Sequence, residues 1–270
     1  GGQVVAGLGW RAVFVVLAGL NLVMLLGAFF LAGESLPVED RRPPGLKSFV
    51  GSAVSVLGNR RFMGYTLTLG FASAALFAYI SASPFVLQNI IGLSPQAYSL
   101  TFGGCALAVA ASGVVSARLV RTIAPRKLLH GGVCAMHVDT MLKLLTVTVG
   151  GVLPWVTIAL MACFMATLGF TFANATTLAI GEVPHAAGTA SAVIGFLQYG
   201  LGAVVSPLVG LAGEHSAVPM GVAMFSCAAL AATTLLVLTR GGHGSDWDDA
   251  EVEAEIDELI PVLAGSTTSR

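Results

Sequence analysis

Charged residues are scarce in this sequence. Of its 270 residues, 10% are Asp, Glu, Lys or Arg and 56% are hydrophobic, with a mean hydropathy of +0.86. A soluble domain carries about 25% charged residues. Because a chain this apolar could not cover its own surface in water, we expect a lipid bilayer to be its solvent. No basic segment precedes the first apolar run, so no signal peptide is expected, and the absence of an initial Met indicates a truncated start.

Motifs for metal binding and catalysis are also missing. The cysteines all lie in apolar runs and form no CxxC pair, which argues against a metal site and against a disulfide framework. The sequence has no phosphate-binding loop and no HExxH zinc motif. Gly188 to Ser191 has no histidine at membrane depth to act as a base. We therefore expect no enzymatic activity, no cofactor and no nucleic-acid partner. The cysteines are Cys105, Cys134, Cys163 and Cys227.

Seven apolar runs are long enough to cross a bilayer, which takes about 20 residues. None of them shows the alternation of a barrel strand. Backbone groups in hydrocarbon must pair within their own segment, which favours helices. The sequence therefore predicts an all-α, polytopic membrane helix bundle. The runs cover residues 12–32, 63–88, 97–117, 127–149, 152–178, 187–212 and 217–239.

Basic residues predict the orientation, because cytoplasmic loops carry an excess of Lys and Arg. They are concentrated in the 33–62 and 118–127 connections, and Arg240 follows the last run. We therefore expect these two connections and the C-terminus to be cytoplasmic. The connections without Lys or Arg lie near 89–96, 150–154 and 213–219.

Two segments differ from the apolar runs in composition. The 33–62 connection contains three prolines and mixed charge, which is typical of a linker. The tail from 241 holds eight acidic residues between Asp246 and Glu258. Its apolar residues recur at helical spacing, so either a short amphipathic helix or a solvated tail is expected there.

Polar side chains follow one helix face in each of three runs. Residues spaced by three or four share a face of a helix, and Pro84 is expected to break the hydrogen-bond ladder of the second run. An Asn at membrane depth is costly unless it meets a partner or water. The alternative is a set of packed helices whose hydroxyls bond their own backbone. Together, the three faces predict a shared substrate cavity lined by Ser73, Phe77, Ser81, Pro84, Gln88, Thr171, Asn174, Gln198 and Tyr199.

Asp139 and Lys143 form the one pair of opposite charges inside an apolar run. Each charge costs about 3 kcal/mol at a helix centre. Because they are four residues apart, they can neutralise each other as an intramembrane ion pair, and Lys143 is also close enough to the outer end to snorkel. The alternative is a proton relay that includes His137.

Several segments resemble one transporter family. Residues Phe77 to Gln88 resemble the seventh helix of the bicyclomycin-resistance (Bcr/CflA) type of drug/proton antiporter in the major facilitator superfamily. Pro184 to Ala192 resembles the entry to its eleventh helix, and Gly9 to Phe14 the entry to its sixth. Gly1 and Gly2 would end the antiporter motif on the fifth helix.

The resemblance covers about residues 1–240 and implies an architecture. The seven runs would be helices six to twelve of a twelve-helix, two-bundle transporter. Residues 1–32 would end the N-terminal bundle, with helix six and the tail of helix five. Residues 33–62 would be the cytoplasmic linker between bundles. Residues 63–240 would form the C-terminal six-helix bundle, and 241–270 an acidic cytoplasmic tail outside the resemblance.

The resemblance also implies a function. It implies proton-coupled efflux of small amphipathic drug-like substrates across the bacterial inner membrane, with the proton as coupling ion and the N-terminal bundle as partner. In this fold the seventh, eighth, tenth and eleventh helices face the central cavity. Residues 113–127 are similar to the superfamily's cytoplasmic loop motif, which implies that Arg118, Arg121 and Arg126 brace the cytoplasmic gate. The acidic residue usual in that motif is absent here.

Other readings of the sequence are another major facilitator solute transporter, a seven-helix receptor or retinal protein, and a membrane fragment without transport activity. Seven spans with an outward N-terminus fit the receptor class. A retinal protein, however, needs a Lys in its last helix, and residues 217–239 contain none.

Overall fold

The computed structural model describes Gly7 and residues 9–31, 46–211 and 216–240. Within these ranges the chain forms eight long α-helices and no strand. Every helix except α2 is long and apolar enough to span a membrane, so the prediction of an all-α bundle with seven candidate spans is confirmed. The helices are α1 (Trp10–Leu31), α2 (Leu46–Gly58), α3 (Arg60–Pro84), α4 (Pro95–Leu119), α5 (Pro125–Leu145), α6 (Pro154–Gly181), α7 (Ala187–Leu211) and α8 (Val218–Leu238).

Helix starts are marked by capping residues and prolines. Asn59 Oδ1 accepts a hydrogen bond from the Phe62 N–H (2.9 Å) at the start of α3. Ser94 Oγ accepts one from the Ala97 N–H (3.2 Å) at the start of α4. Such caps satisfy backbone donors that have no partner inside the helix. Proline, which has no N–H to satisfy, occupies the first turn of α4, α5, α6 and α8.

Pro84 does not end the helical path of α3. The chain continues as a π-helix over Phe85–Ile90, and the Ile91 N–H donates to the Val86 carbonyl five residues earlier (3.0 Å). The wider turn accommodates the proline, which has no N–H to donate to the ladder. Pro84 was expected to break the hydrogen-bond ladder, and the change from α-helical to π-helical register begins directly after it. The segment then turns at Gly92, whose φ of +82° favours glycine.

Helices α3 and α6 hold the bundle together. α3 packs mainly against α7 and α8, α6 packs against α4, α5 and α3, and α5 packs against α8. One apolar cluster surrounds Tyr79, Phe164 and Met224, and a second surrounds Phe62, Leu129 and the residues packed on them. In the described chain, α1 has no buried residue.

Helix α2 lies inside the segment that the sequence analysis treated as a linker. It packs against α3 and α7, and its Val56 is fully buried. At 13 residues α2 is too short to span a bilayer, which is why its segment was not among the apolar runs. The prolines of the linker, Gly1 and Gly2, and the acidic tail from 241 lie outside the described residues, so the predictions for them stay predictions.

The helices α4 and α6 approach closely at Gly169. A Cβ placed there would overlap the Ser112 side chain and would lie 2.7 Å from the Val109 carbonyl oxygen. A residue without a side chain is what allows two helix backbones to come this near. This contact fixes α4 against the centre of the bundle.

Candidate functional site

Aromatic and polar side chains meet where α3 packs on α7. Phe77 is half-buried, and its ring stands edge-on to Tyr199 with centroids 6.2 Å apart. Gly202 leaves room for the Phe77 ring, because a Cβ at this position would overlap it. One turn further along α3, Ser81 Oγ donates to the Ser206 carbonyl (3.2 Å).

We call Phe77, Ser81, Gln198 and Tyr199 the α3–α7 face. Tyr199 is 64% exposed, whereas the other three are half-buried. The face therefore combines an accessible aromatic surface with hydroxyl and amide groups. Pro84 and Gln88 are half-buried further along the same helix path, Gln88 within the π-helix.

Three other cavity candidates are buried in packing contacts. Asn174 donates from Nδ2 to Ser116 Oγ (2.8 Å) and to a carbonyl in its own preceding turn, so its amide ties α6 to α4. Thr171 donates to a backbone carbonyl of α6 and lies against Gly132 of α5. Ser73 is 1% exposed. The structure thus brings Phe77, Ser81 and Tyr199 together, and it sets Thr171 and Asn174 into the contacts of α6 with α5 and α4.

Two arginines bind the last carbonyls of α8. Arg60 of α3 donates to the Val237 carbonyl (2.7 Å), and Arg126 of α5 donates to the Thr239 carbonyl (3.1 Å). The final carbonyls of a helix have no partner within it and carry partial negative charge, so cationic donors stabilise them. Three helices are thereby joined at one end of the bundle.

Glu182 lies at the same end, in the turn after α6. Its Oε1 is 3.8 Å from Arg61 Nη1, and Asn59 Nδ2 donates to its backbone carbonyl (3.3 Å). Burial raises the pKa of the Glu182 carboxyl above its ordinary value, although the nearby Arg61 and Arg126 lower it in part. We call Arg60, Arg61, Arg126 and Glu182 the basic end.

The sequence analysis found no acidic partner for the gate arginines, and Glu182 supplies a carboxylate near Arg126. Sequence reasoning missed this role because Glu182 and Arg126 are far apart along the chain. The available signal was the position of Glu182 in the connection between the fifth and sixth runs, which is expected on the cytoplasmic side because successive spans alternate in direction. Arg118 and Arg121, by contrast, are exposed in the structure.

The charges of α5 point into the bundle. Lys143 Nζ lies 2.7 Å from Asp139 Oδ2, and the two residues are 3% and 6% exposed. Lys143 Nζ also lies 4.5 Å from the centroid of the Phe164 ring on α6, so it turns inward rather than extending toward a helix end. His137 stacks on Phe225 of α8 (centroids 5.0 Å apart), on a different face of α5 from Asp139.

Seven candidate spans around a packed interior define a multi-pass helical membrane protein. A family model for the Major Facilitator Superfamily matches residues 1–207. The chain belongs to this superfamily, whose members are transporters and not enzymes. Membership favours a transporter over a seven-helix receptor or retinal protein.

Known relatives point the same way. The uncharacterized MFS-type transporter YdgK of Bacillus subtilis is 36% identical over 237 residues, which cover 88% of this chain and 58% of that protein. A bicyclomycin resistance protein homolog of Haemophilus influenzae is 23% identical over 239 residues, with coverage of 88% and 60%. A stretch of 93 residues, 34% of this chain, is 36% identical to 22% of the multidrug transporter MdfA of Edwardsiella piscicida. The chain thus spans less than two thirds of the length of these relatives.

Proposed function

We propose that this chain supplies the C-terminal part of a drug/proton antiporter of the Bcr/CflA type, which exports small amphipathic molecules across the bacterial inner membrane. The observation that carries the proposal is the α3–α7 face, where the rings of Phe77 and Tyr199 meet beside hydroxyl and amide groups. Small-molecule sites combine apolar, aromatic surface with a few orienting polar groups in this way. The names of the relatives, which include multidrug transporters and a bicyclomycin resistance homolog, support the substrate class.

Alternating access gives the face its role. In transporters built from two bundles, one bundle rocks against the other around a site between them. The α3–α7 face would form one wall of that site, and an N-terminal bundle would form the opposite wall. The basic end would face the cytoplasm, where Arg126 and Glu182 brace the inward gate. The N-terminal bundle would bring a proton-carrying acid of its own.

The test is a growth assay in a pump-deficient bacterium that expresses this chain together with the N-terminal bundle that the proposal requires. We expect Tyr199→Ala and Gln198→Ala to change which drugs are tolerated, because an aromatic or amide contact with substrate is lost, while membrane abundance on an immunoblot is unchanged. Leu208→Ala is the control, since Leu208 is a 59% exposed residue of the same helix outside the α3–α7 face.

Two outcomes would contradict the proposal. If both face variants tolerate every exported compound as the wild type does, the face is not a substrate wall. If the 270-residue chain expressed alone confers resistance, a second bundle is not needed. We expect no resistance from the chain alone, and partial resistance when five N-terminal helices of the proposed antiporter are co-expressed.

A further inference from the structure

The interior of the bundle holds polar groups that the substrate site does not use. Asp139 Oδ2 accepts a hydrogen bond from Lys143, but Asp139 Oδ1 is buried and has no hydrogen-bond partner among the described residues. The hydroxyl of Tyr79 on α3 is likewise buried, and the Cys105 thiol of α4 is its polar neighbour. Tyr79 is fully buried, and Asp139 is 6% exposed.

These groups surround one aromatic ring. The Tyr79 ring lies 6.2 Å from the Phe164 ring, centroid to centroid, and Lys143 Nζ lies 4.5 Å from the same ring. Cys105 of α4 is close to the Tyr79 hydroxyl and within electrostatic range of Lys143. Three helices, α3, α4 and α5, thus place polar groups beside an aromatic ring of a fourth, α6. We call Tyr79, Cys105, Asp139 and Lys143 the interior cluster.

An interior made only of apolar side chains would give a more stable fold than one that contains these polar groups. A buried polar group without a hydrogen bond destabilises the fold, and a buried ion pair is often no better than packed hydrophobic residues. A buried carboxylate oxygen that lacks a hydrogen-bond donor can bind a proton, and the proton removes the negative charge. The uncharged acid is far less costly to bury than the carboxylate.

We propose that Asp139 is a proton-binding site within this bundle, and that proton binding shifts the balance of Lys143's two contacts from Asp139 to the Phe164 ring. The proposal rests on the proton coupling in the proposed function, and it adds a site in the C-terminal bundle to the acid expected in the N-terminal one. A proton from water adds to Oδ1 and neutralises the carboxylate. Lys143 keeps its own proton and its charge. Loss of the same proton to water restores the carboxylate and the ion pair.

The second partner of Lys143 is already in place. A cation above an aromatic face is attracted by the ring, more strongly when both are out of water. When Asp139 is neutral, the Phe164 ring remains as the favourable contact for Lys143. Because Phe164 belongs to α6 and Asp139 to α5, protonation shifts the balance of contacts between these two helices.

Few other groups can titrate beside the pair. The helices around α5 present Tyr79 from α3, Cys105 from α4 and Cys163 from α6, all of them uncharged in their ordinary state at neutral pH. α8, which also packs on α5, contains Cys227 as its one ionisable residue. His137 lies on a different face of α5. Lys143 is therefore the charge that responds to the proton on Asp139.

The first test is infrared difference spectroscopy between acid and alkaline pH on this chain purified together with an N-terminal bundle. We expect the protonated-carboxyl absorption of the wild type to lose one component in Asp139→Asn, while the components of the other carboxyl groups remain. Thr140→Val is the control, because Thr140 is the buried neighbour of Asp139 and does not titrate. An absorption that is unchanged in Asp139→Asn would overturn the proposal.

The second test measures proton release when an exported drug is added to the unbuffered, purified protein. We expect Asp139→Asn to bind the drug and release fewer protons than the wild type. The double variant Asp139→Leu/Lys143→Leu should show the same loss at unchanged membrane abundance, which separates proton binding from a folding defect. Wild-type proton release in both variants would refute a coupling role. Drug export by a wild type that releases no proton would instead refute the proton coupling in the proposed function, and the infrared band would still decide whether Asp139 binds a proton.

Discussion

Buried polar side chains divide into two kinds at the scale of single residues. Asn174 donates a hydrogen bond to a neighbouring helix, and Thr171 donates one to the backbone of its own helix. Both bonds stabilise the packing of the bundle. Asp139 and Lys143 neutralise each other, yet one carboxylate oxygen has no hydrogen-bond partner in the part of the chain that the structure describes. The helical spacing and the polarity of these residues could not tell the two kinds apart, because residues of both kinds lie along one face of their helix. Only the position of the neighbouring helix decides between packing and function.

The ion pair on α5 predicts an asymmetry between single and double variants. At a pH where Asp139 is ionised, Lys143→Leu should lower the free energy of unfolding by about 3–5 kcal/mol, because it leaves the carboxylate without its cation in an apolar interior. The double variant Asp139→Leu/Lys143→Leu should be close to the wild type or more stable. Thermal unfolding of the three proteins in one detergent measures this. Equal losses in the single and double variants would show that the pair does not act as a unit.

Glu182 predicts a pH dependence of stability. Burial raises the pKa of its carboxyl in the folded state. A raised folded pKa means that the stabilising contribution is complete below the unfolded pKa and is lost as the pH rises through the folded pKa. The melting temperature of the wild type relative to Glu182→Gln should therefore fall as the pH rises from about 4, near the ordinary pKa of a Glu carboxyl, through the raised folded pKa. A difference that stays constant or grows with pH would contradict the prediction.

At the scale of helices, α6 has a central place because it packs on α4, α5 and α3. Its contact with α4 depends on a glycine that faces a backbone carbonyl and a serine. Asn174 adds a hydrogen bond across the same pair of helices. The bundle thus gains its interior order from close backbone approach and from a few polar ties, as helices in lipid must.

Gly169→Ala should destabilise the bundle by about 1–3 kcal/mol, because the added methyl group has no space between α4 and α6. Gly104→Ala is the matched control, since no atom lies within 4 Å of the added Cβ. There, replacing a helical glycine should be neutral or stabilise by up to about 1 kcal/mol. Melting temperatures in detergent test both. Similar melting temperatures of the two variants would show that Gly169 is not needed for the close approach of α4 and α6.

The sequence predicted the seven spans, because an apolar run of bilayer length leaves few alternatives for a backbone in lipid. It did not predict α2, whose 13 residues are too short for that argument. It did not pair Glu182 with the basic end, since the partners are far apart along the chain. Nor could periodicity tell that Asn174 would meet α4, because spacing shows which residues share a face but not which helix covers it.

At the scale of the whole molecule, the basic residues predict which end of α4 faces the cytoplasm. Gln96 and Thr122 are exposed residues near the two ends of this helix. After the native cysteines are removed, Gln96→Cys should react with an impermeant reagent from outside intact cells, and Thr122→Cys only after the membrane is opened. Labelling of both from the same side would refute the orientation.

Arg60 and Arg126 have a mechanical consequence, because both bind the last carbonyls of α8. In a single-molecule pulling experiment on a chain that ends at Arg240, tension applied at that residue loads these two contacts first. We expect an initial rupture before α8 is extracted, and a weaker one in Arg60→Ala and Arg126→Ala. Arg121→Ala, which alters an exposed arginine of the same region, should leave the force unchanged. The two arginines would then act as a latch that holds the terminal helix against peeling.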